Sequence, residues 1–142
     1  MSLWKNNFSA EDLNAFSKNT LLEQLGISIK EIGEDYVIAS MPVDTRTHQP
    51  MGILHGGASV ALAESVGSMA AQLAVTPGYY CVGLEINANH VRSVTTGHVH
   101  ATARPLHIGG QTQVWDIRIH DDSDKLVCVS RLTMAVLKAK SA

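Results

Sequence analysis

The sequence contains few cysteines, few aromatic residues and little charge. Two cysteines among 142 residues, Cys81 and Cys128, are too few for a disulfide framework or a cysteine-rich zinc site. Because both lie in apolar, strand-like runs, we expect them to be buried free thiols. The opening stretch, residues 1–7, is too polar to form the apolar core of a signal peptide. The expected location is therefore the cytoplasm.

Neither sign of charge dominates the chain. Eleven Lys and Arg against 13 Asp and Glu give a net charge of -2, which leaves no electrostatic footprint for duplex nucleic acid. We therefore expect no nucleic-acid partner. Hydrophobic residues make up 45% of the chain, too many for a disordered protein. The length predicts one domain over residues 1–142, and the low charge indicates surface that is buried against another subunit.

One long apolar run could be mistaken for a membrane span. Between residues 56 and 75, Glu64 is the only charged residue, and the run has the ~20 residues that a span needs. It also contains several serines and a glutamine, and it has neither an aromatic belt nor a flanking basic cluster. We therefore predict no membrane partner. The run is better interpreted as a helix buried nearly all round, whose small side chains let other backbone come close.

The sequence on either side of this helix predicts two short helices and six strands. Ser9 opens a capping box, and Thr20 and Gly26 suit the start and stop of a second short helix. Strands are predicted at residues 27–32, 36–43, 80–88, 99–103, 113–120 and 126–137. Antiparallel hairpins without βαβ alternation define an α+β class. A helix of about 19 residues is near 28 Å long, and only a curled sheet buries it on most sides. We therefore predict the hotdog fold, a long central helix wrapped by a curved antiparallel β-sheet.

Glu64 is the strongest single indication of chemistry. A lone charged carboxylate in an apolar helix is costly unless it meets a polar cleft or a cation. It is either a base or nucleophile, or half of a structural pair with an arginine such as Arg92 or Arg131, and residue spacing leaves both open. Ser68 follows one turn later on the same face. It could orient Glu64 or a water, or bond its own helix backbone.

The start of the helix offers a second reactive group. Glycine at position 56 allows a ligand to approach bare backbone, and the first N–H groups of a helix have no intrahelical partner. With the positive end of the helix dipole, they can stabilise an oxyanion. Gly56 and Glu64 are eight residues apart, about 12 Å along the axis. If both act on one carbonyl, they come from different subunits, and the active site lies across a two-fold interface.

Other catalytic and metal signatures are missing from the sequence. None of its seven histidines belongs to an H-E-x-x-H motif. His98 and His100 share a strand face, but no third ligand follows at a spacing typical of a metal site. We therefore predict neither a metal nor another cofactor. There is also no Walker or G-x-G-x-x-G fingerprint and no G-x-S-x-G nucleophile elbow.

Some residues suit the binding of a phosphate-bearing ligand. His90, beside two asparagines and Arg92, is a better functional candidate than the other histidines. Arg92, Arg104 and Arg131 are the cations that could meet phosphates, although each alone is more often a solvated charge. The glycine-containing segment 106–111 offers backbone N–H groups that could hold a phosphate, or it forms a plain hairpin turn.

Four segments carry a resemblance that covers nearly the whole chain: residues 41–50, 54–59, 62–65 and 82–92. The sequence resembles hotdog-fold acyl-CoA thioesterases of the phenylacetate and 4-hydroxybenzoyl-CoA thioesterase group. Within that group, residues 85–92 favour the members that hydrolyse 1,4-dihydroxy-2-naphthoyl-CoA in menaquinone synthesis. The resemblance implies an enzyme that hydrolyses aromatic acyl-CoA thioesters as a homodimer with shared active sites, assembled as a homotetramer from two dimers.

The resemblance also implies roles for individual residues. Glu64 matches the nucleophile or general base, and Gly56 matches the residue whose N–H polarises the carbonyl from the partner subunit. Gln49 and His55 match residues that assist at the carbonyl or leaving group, and Ser68 matches one that positions water or an intermediate. The CoA contacts implied are Gly83, His90, Val91, Arg92, Ser93, His107, Ile108, Gly109, Gly110, Gln111 and Thr112.

Other activities remain open alternatives. The nearest is a proofreading thioesterase of siderophore synthesis that acts on misacylated carrier protein. The same fold also hosts acyl-CoA dehydratases, which use a histidine with an acidic residue, and non-catalytic acyl-CoA binding modules, which lack the acid. Met51 is a departure, because close relatives usually carry phenylalanine there. A flexible thioether at this position predicts a looser hold on an aromatic acyl group.

Overall fold

A computed structural model describes residues 2–140 of the protein. Its helices are α1 (Ala10–Phe16), α2 (Leu21–Leu25) and α3 (Gly56–Ala74). Its strands are β1 (Ser28–Ile32), β2 (Val37–Pro42), β3 (Tyr79–His90), β4 (His98–Ile108), β5 (Thr112–Asp121) and β6 (Leu126–Lys138). The two predicted strands before the long helix and the four after it are confirmed, and β3 and β4 run further than predicted.

Local sequence sets the ends of the two short helices. The capping box at α1 is confirmed, because Ser9 Oγ accepts the Asp12 N–H at 3.1 Å and the Asp12 carboxylate accepts the Ser9 N–H at 2.9 Å. Gly26 ends α2 in the left-handed conformation, with φ of 73°. Thr20 is the N-cap residue of α2, as predicted, but its side chain accepts no hydrogen bond from the helix. Its hydroxyl donates to the Ser17 carbonyl at 2.6 Å instead, which closes the turn after α1.

The six strands form one antiparallel sheet in the order β1-β2-β4-β5-β6-β3. Helix α3 packs against β2, β3, β4, β5 and β6, so the predicted α+β class and hotdog arrangement are confirmed. Leu62, Val66 and Ala70 are fully buried under the sheet. A Cβ added to Gly67 would lie 2.6 Å from Leu132 Cδ2, so the helix approaches the sheet closely there. Within residues 2–140, no helix is long and apolar enough to cross a membrane.

Strand β3 departs from the predicted side-chain pattern. Alternation predicts Leu84, Ile86 and Ala88 on one face. The pairing with β6 instead shifts between Gly83 and Glu85, which leaves Leu84 outside the ladder and 61% exposed, while Ile86 and Ala88 are half-buried. A bulge inserts one extra residue and so reverses the alternation on its two sides.

Strand β3 also forms an edge of the sheet. One side pairs with β6, and no strand within residues 2–140 pairs with the other side. Apolar side chains are exposed along it, among them Tyr80 at 42% and Val82 at 42%. A long, apolar edge strand is a ready template for pairing with another chain. Buried free thiols are confirmed at Cys81, on this strand, and at Cys128, on β6, and burial raises the pKa of both.

Candidate active site

The first turn of α3 presents a free backbone donor. His55 is the N-cap residue, and its Nδ1 accepts the Gly57 N–H at 2.7 Å. The His55 carbonyl accepts the N–H groups of Ala58 and Ser59. No group in residues 2–140 accepts the Gly56 N–H. This N–H is therefore available to a ligand at the positive end of the helix dipole. Because Nδ1 accepts, the neutral His55 ring carries its proton on Nε2 and donates outward.

Only glycine fits at position 56 without a shift. A Cβ there would lie 2.9 Å from His90 Nε2, so the His90 ring from the end of β3 lies against the start of α3. Alanine at this position would have to push the imidazole aside. The sequence alone marked both residues as candidates but gave no sign that they touch, because 34 residues separate them.

Glu64 lies in the middle of α3 and is half-buried. No cation within residues 2–140 comes within 4 Å of its carboxylate, so the alternative of a structural pair with Arg92 or Arg131 is wrong. Arg92 Nε donates to the Leu126 carbonyl at 3.3 Å instead. The carboxylate faces β3, since a Cβ added to Gly83 would lie 2.7 Å from Glu64 Oε2.

An apolar cavity of about 370 Å³ opens beside Glu64. It is lined by Leu22, Glu64, Ser65, Ser68, Met69 and Gln72. The sequence predicted the position of Ser68, four residues after Glu64. It did not single out Gln72, which follows at the same spacing one turn later. Leu22 gave no such signal, because it reaches the cavity from α2 through tertiary packing.

Ser68 shares this cavity but makes neither of the hydrogen bonds considered from the sequence. Its hydroxyl donates to Met134 Sδ at 3.9 Å, and not to Glu64 or to a helix carbonyl. A thioether is a weak acceptor. The hydroxyl can therefore turn to a ligand or water beside Glu64 at little cost.

Backbone hydrogen bonds hold the segment that leads into α3. The His55 N–H donates to the Thr47 carbonyl at 2.8 Å, and the Gln49 N–H donates to the Ile53 carbonyl at 2.8 Å. The Gln49 side-chain oxygen accepts the Met51 N–H, which leaves the Gln49 Nε2 group as a donor. The Met51 side chain is 82% exposed. Met51 lines none of the three cavities beside α3 that residues 2–140 form, so its predicted effect on acyl binding stays a prediction.

This segment begins with an exposed ion pair whose titration can be measured. Arg46 donates to the Asp44 carboxylate at 2.7 Å from its side chain and at 2.9 Å from its backbone N–H, which lowers the pKa of Asp44 from 3.8 to about 2. A depressed folded-state pKa stabilises the fold at pH values above the unfolded pKa, and this contribution is lost as pH falls through about 2. Carbon-detected NMR titration should therefore give Asp44 a midpoint near 2. Arg46→Gln should raise this midpoint toward 3.8 without restoring it fully, because the backbone N–H of residue 46 still donates to the carboxylate. A wild-type midpoint near 3.8 would contradict the pairing.

The predicted CoA contacts fall into two separate groups. Residues 90–93 line a cavity of about 400 Å³ together with Gly56, at the N-terminal end of α3. Residues 108–110 line a cavity of about 410 Å³ together with Ala74 and Val75, at its C-terminal end. Because α3 has 19 residues and is about 28 Å long, one chain holds the two groups far apart.

The other predicted CoA contacts lie outside both linings. Gly83 lies beside Glu64, between the two ends of α3. His107, Gln111 and Thr112 belong to the β4–β5 hairpin, where the Thr112 carbonyl accepts the Gly109 N–H at 2.9 Å. The turn interpretation of this segment is therefore confirmed, and its CoA contacts stay a prediction.

A side chain at Gly83 should disturb Glu64 without unfolding the protein. Gly83 has no positive φ, so its backbone tolerates other residues. Its added Cβ would force the carboxylate to move, and misplacing a reacting group can cost about a hundredfold in rate. We expect Gly83→Ala to lower kcat about ten- to a hundredfold with little change in the thermal unfolding midpoint. Native kcat for this variant would show that the carboxylate does not need to lie against β3.

Side chains that could bind a metal do not cluster in the part of the chain that the structure describes. Within residues 2–140, no three His, Cys, Asp or Glu side chains lie close enough together to hold a metal ion. His100 Nε2 bonds Asp122 Oδ1 at 2.7 Å, and Asp122 Oδ2 accepts the His98 N–H at 3.0 Å. This arrangement ties two turns of the sheet together at the surface.

A free N–H at the start of a central helix and an unpaired carboxylate beside an apolar cavity, as found within residues 2–140, suit hydrolysis at an acyl carbonyl. The profile of the Thioesterase superfamily matches residues 51–128. The chain belongs to this family, and it is an enzyme of the thioesterase class.

Relatives match over nearly the whole chain. The Proofreading thioesterase EntH of Cronobacter turicensis is 51% identical over 95% of this chain and 98% of its own. The 1,4-dihydroxy-2-naphthoyl-CoA hydrolase of Escherichia coli is 50% identical over 95% of this chain and 99% of its own. The predicted family is therefore confirmed.

Solved structures agree with the fold. The thioesterase HI1161 from Haemophilus influenzae superposes with a TM-score of 0.96 at 50% identity, covering 98% of this chain and 97% of that one. The Q49A mutant of thioesterase PA1618 from Pseudomonas aeruginosa superposes with a TM-score of 0.94 at 54% identity, covering 96% of this chain and 99% of that one.

Proposed function

We propose that the protein hydrolyses acyl-CoA thioesters with Glu64 as nucleophile or general base and the Gly56 N–H as oxyanion donor. The observation that carries this proposal is the pairing of two unsatisfied groups on one helix. The carboxylate has no cation partner and the N–H has no acceptor within residues 2–140. Buried or half-buried groups that lack partners are candidates for contact with a ligand.

Each group has a task in breaking the carbon–sulfur bond. The Gly56 N–H and the helix dipole stabilise the negative charge that develops on the thioester oxygen. Glu64 either attacks the carbonyl carbon to form an anhydride or removes a proton from an attacking water. The His55 Nε2–H and the Gln49 amide orient the thioester, and Ser68 positions water. The CoA thiolate leaves and takes up a proton. On the first route, water then opens the anhydride, which releases the acid and restores the Glu64 carboxylate; on the second route, the acid carries the oxygen of the attacking water.

A second copy of the chain completes the site. Gly56 and Glu64 are about 12 Å apart along one helix, which is too far for both to touch one carbonyl. The unpaired apolar edge of β3 is the surface that suits a second copy. Glu64 faces β3 at Gly83, and His90 brings the other end of β3 against Gly56. Both reactive groups therefore border the edge at which two copies would pair.

Pairing along β3 also accounts for the two groups of CoA contacts. In an antiparallel pair, the Tyr79 end of one strand meets the His90 end of the other. Tyr79 lines the same cavity as residues 108–110, and His90 lines the same cavity as Gly56. Residues 90–93 of one copy would then lie beside the hairpin 107–112 of the other. One CoA could contact both groups.

We assign aromatic acyl-CoA as the substrate class, with 1,4-dihydroxy-2-naphthoyl-CoA as its main member and menaquinone synthesis as its setting. The apolar cavity beside Glu64 suits a flat, apolar acyl group. The name of the Escherichia coli relative and residues 85–92 support this choice. We also propose a homotetramer built from two β3-paired dimers. The buried free thiols suit the reducing cytoplasm.

A second candidate is the proofreading of misacylated carrier protein, because the EntH relative is as similar as the naphthoyl-CoA hydrolase. The discriminating experiment is a kcat/KM panel that follows free thiol release. It should include naphthoyl-CoA, benzoyl-CoA, fatty acyl-CoA and an aroyl carrier-protein thioester.

A preference for aryl-CoA supports the first candidate, and a preference for the carrier-protein thioester supports the second. Thiol release also tests whether the protein is a thioesterase at all. A dehydratase releases no thiol, and a binding module holds acyl-CoA without turnover. Either result would contradict the proposed hydrolysis.

A further inference from the structure

Gln72 on α3 is held by both its backbone and its side chain. The Asn6 side-chain amide donates to the Gln72 backbone carbonyl at 2.8 Å. The Gln72 Nε2 group donates to the Cys81 carbonyl on β3, also at 2.8 Å. Because a backbone carbonyl only accepts, this contact identifies the nitrogen of the side-chain amide and leaves Oε1 as its other end. Both the backbone and the amide orientation of Gln72 are therefore fixed by hydrogen bonds.

The side-chain oxygen of Gln72 is an acceptor without a donor. Within residues 2–140, no N–H or O–H group donates to Gln72 Oε1, and the Ser68 hydroxyl one turn earlier donates to Met134 Sδ instead. Gln72 is half-buried and lines the apolar cavity of about 370 Å³ beside Glu64. A half-buried acceptor without a donor is a candidate for contact with a ligand. A ligand that satisfies Gln72 must carry a hydrogen-bond donor.

Glu64 and Gln72 mark two positions along this cavity. They are eight residues apart, about 12 Å along the helix. Both side chains extend toward β3, where the Glu64 carboxylate lies against Gly83 and the Gln72 amide bonds Cys81. These strand residues are two positions apart, about 7 Å. The carboxylate and the amide oxygen are therefore roughly 7 to 12 Å apart, which leaves room for one aromatic ring between a thioester carbonyl at Glu64 and a hydroxyl at Gln72.

We propose that Gln72 selects acyl groups whose ring carries a hydroxyl opposite the thioester, by accepting the hydrogen bond of that hydroxyl at Oε1. The inference rests on the proposed function, because it takes the cavity beside Glu64 to hold the acyl group. Leu22 and Met69 in the same lining offer the ring only apolar contact. An apolar substituent at this position would exclude water from Gln72 Oε1 and leave it unpaired, which costs more than one hydrogen bond contributes. A hydroxyl next to the thioester lies at the Glu64 end, away from Gln72.

Binding is measured by calorimetry on full-length Glu64→Gln protein, which holds an acyl-CoA without turning it over. The ligands are para-hydroxybenzoyl-CoA, para-methylbenzoyl-CoA, ortho-hydroxybenzoyl-CoA and benzoyl-CoA. A methyl group has nearly the size of a hydroxyl but no donor, so the two para compounds differ in the hydrogen bond alone. We expect the para-hydroxy compound to bind about tenfold more tightly than the para-methyl compound. Equal Kd values for these two ligands would overturn the inference.

Substitution of Gln72 in the same Glu64→Gln background assigns the preference to this residue. Gln72→Met keeps a flexible side chain of similar length and removes the oxygen. We expect it to lower the para-methyl to para-hydroxy Kd ratio from about ten to about one, while the Kd ratio of ortho-hydroxybenzoyl-CoA to benzoyl-CoA stays at its starting value. Gln24→Met is the matched control, because Gln24 is an exposed glutamine on α2, and it should leave both ratios unchanged.

The ratios separate recognition from a structural role of the bond between Gln72 and Cys81. If Gln72→Met only loosens the cavity, the four Kd values rise together and the para ratio keeps its starting value, which would overturn the assignment. The para ratio measured before Gln72 is substituted tests the inference even if Gln72→Met fails to fold. Turnover of the same four compounds by the wild-type enzyme tests the proposed hydrolysis independently. Tight, selective binding without turnover would contradict hydrolysis and support recognition by Gln72, whereas no binding of any acyl-CoA would contradict both.

Discussion

Glu64→Ala should retain the fold and lose acyl-CoA hydrolysis by about a thousandfold or more in kcat. Among residues 2–140, Glu64 is the only acidic residue that lines the cavity of about 370 Å³, and the substitution removes it. It also removes a half-buried charge that has no cation partner within residues 2–140. We therefore expect the free energy of unfolding to stay the same or to rise. Measurements of kcat by thiol release and of thermal unfolding test the two parts of this expectation.

The controls for Glu64 separate its charge from its shape. Glu64→Gln keeps the side-chain volume but can neither attack the carbonyl nor accept a proton, so we expect it to be as inactive as Glu64→Ala. Glu34→Ala removes an exposed glutamate from the turn between β1 and β2 and should leave kcat unchanged. Near-native hydrolysis of aryl-CoA by Glu64→Ala would contradict the assignment of the catalytic carboxylate.

A single turnover in heavy-oxygen water distinguishes the two roles of Glu64. If the carboxylate attacks and water opens the anhydride at the Glu64 carbonyl, the acid released in the first turnover carries an unlabelled oxygen from Glu64, and the label enters the side chain. Label in the side chain therefore identifies Glu64 as the nucleophile. If Glu64 activates water, the label appears in the acid at once. Mass spectrometry of both product and protein reads the result directly.

Short-range patterns allowed much of the fold to be predicted. The capping box at Ser9, the alternation in β5 and the apolar run with one charge all depend on neighbours in sequence. Glu64 was found for the same reason, because a carboxylate in an apolar helix is conspicuous without any structure.

The features that the sequence did not predict depend on contacts between segments that are distant in the chain. The bulge at Leu84 depends on the register between β3 and β6. The contact of Arg92 with the Leu126 carbonyl, and the approach of Gly83 to Glu64, depend on how β3 lies across α3. No periodicity within one segment encodes such a register. The shared active site stays a prediction of another kind, because it depends only on the fixed rise of a helix, which places Gly56 and Glu64 too far apart to act on one carbonyl within one chain.

Mixed dimers provide the sharpest test of that shared site, and Gly56→Pro is the variant that makes it possible. Proline removes the backbone N–H, and it suits the first position of a helix, where no intrahelical bond is lost. His55 has φ of -70° and ψ of 130°, which a residue before proline adopts readily. Gly56→Ala is the matched control, because it adds the same Cβ near His90 but keeps the N–H. We expect Gly56→Pro to lose about a hundredfold or more in kcat, and Gly56→Ala to lose much less.

Refolding Glu64→Ala and Gly56→Pro chains together should then restore activity that neither variant has alone. In a mixed dimer, one site receives both defects. The other combines Glu64 from the Gly56→Pro chain with the Gly56 N–H from the Glu64→Ala chain. Because half of randomly formed dimers are mixed and each has one intact site of two, the recovered kcat should be about a quarter of the wild-type value. If Gly56 and Glu64 acted within one chain, every site in the mixture would keep one defect and mixing would restore nothing.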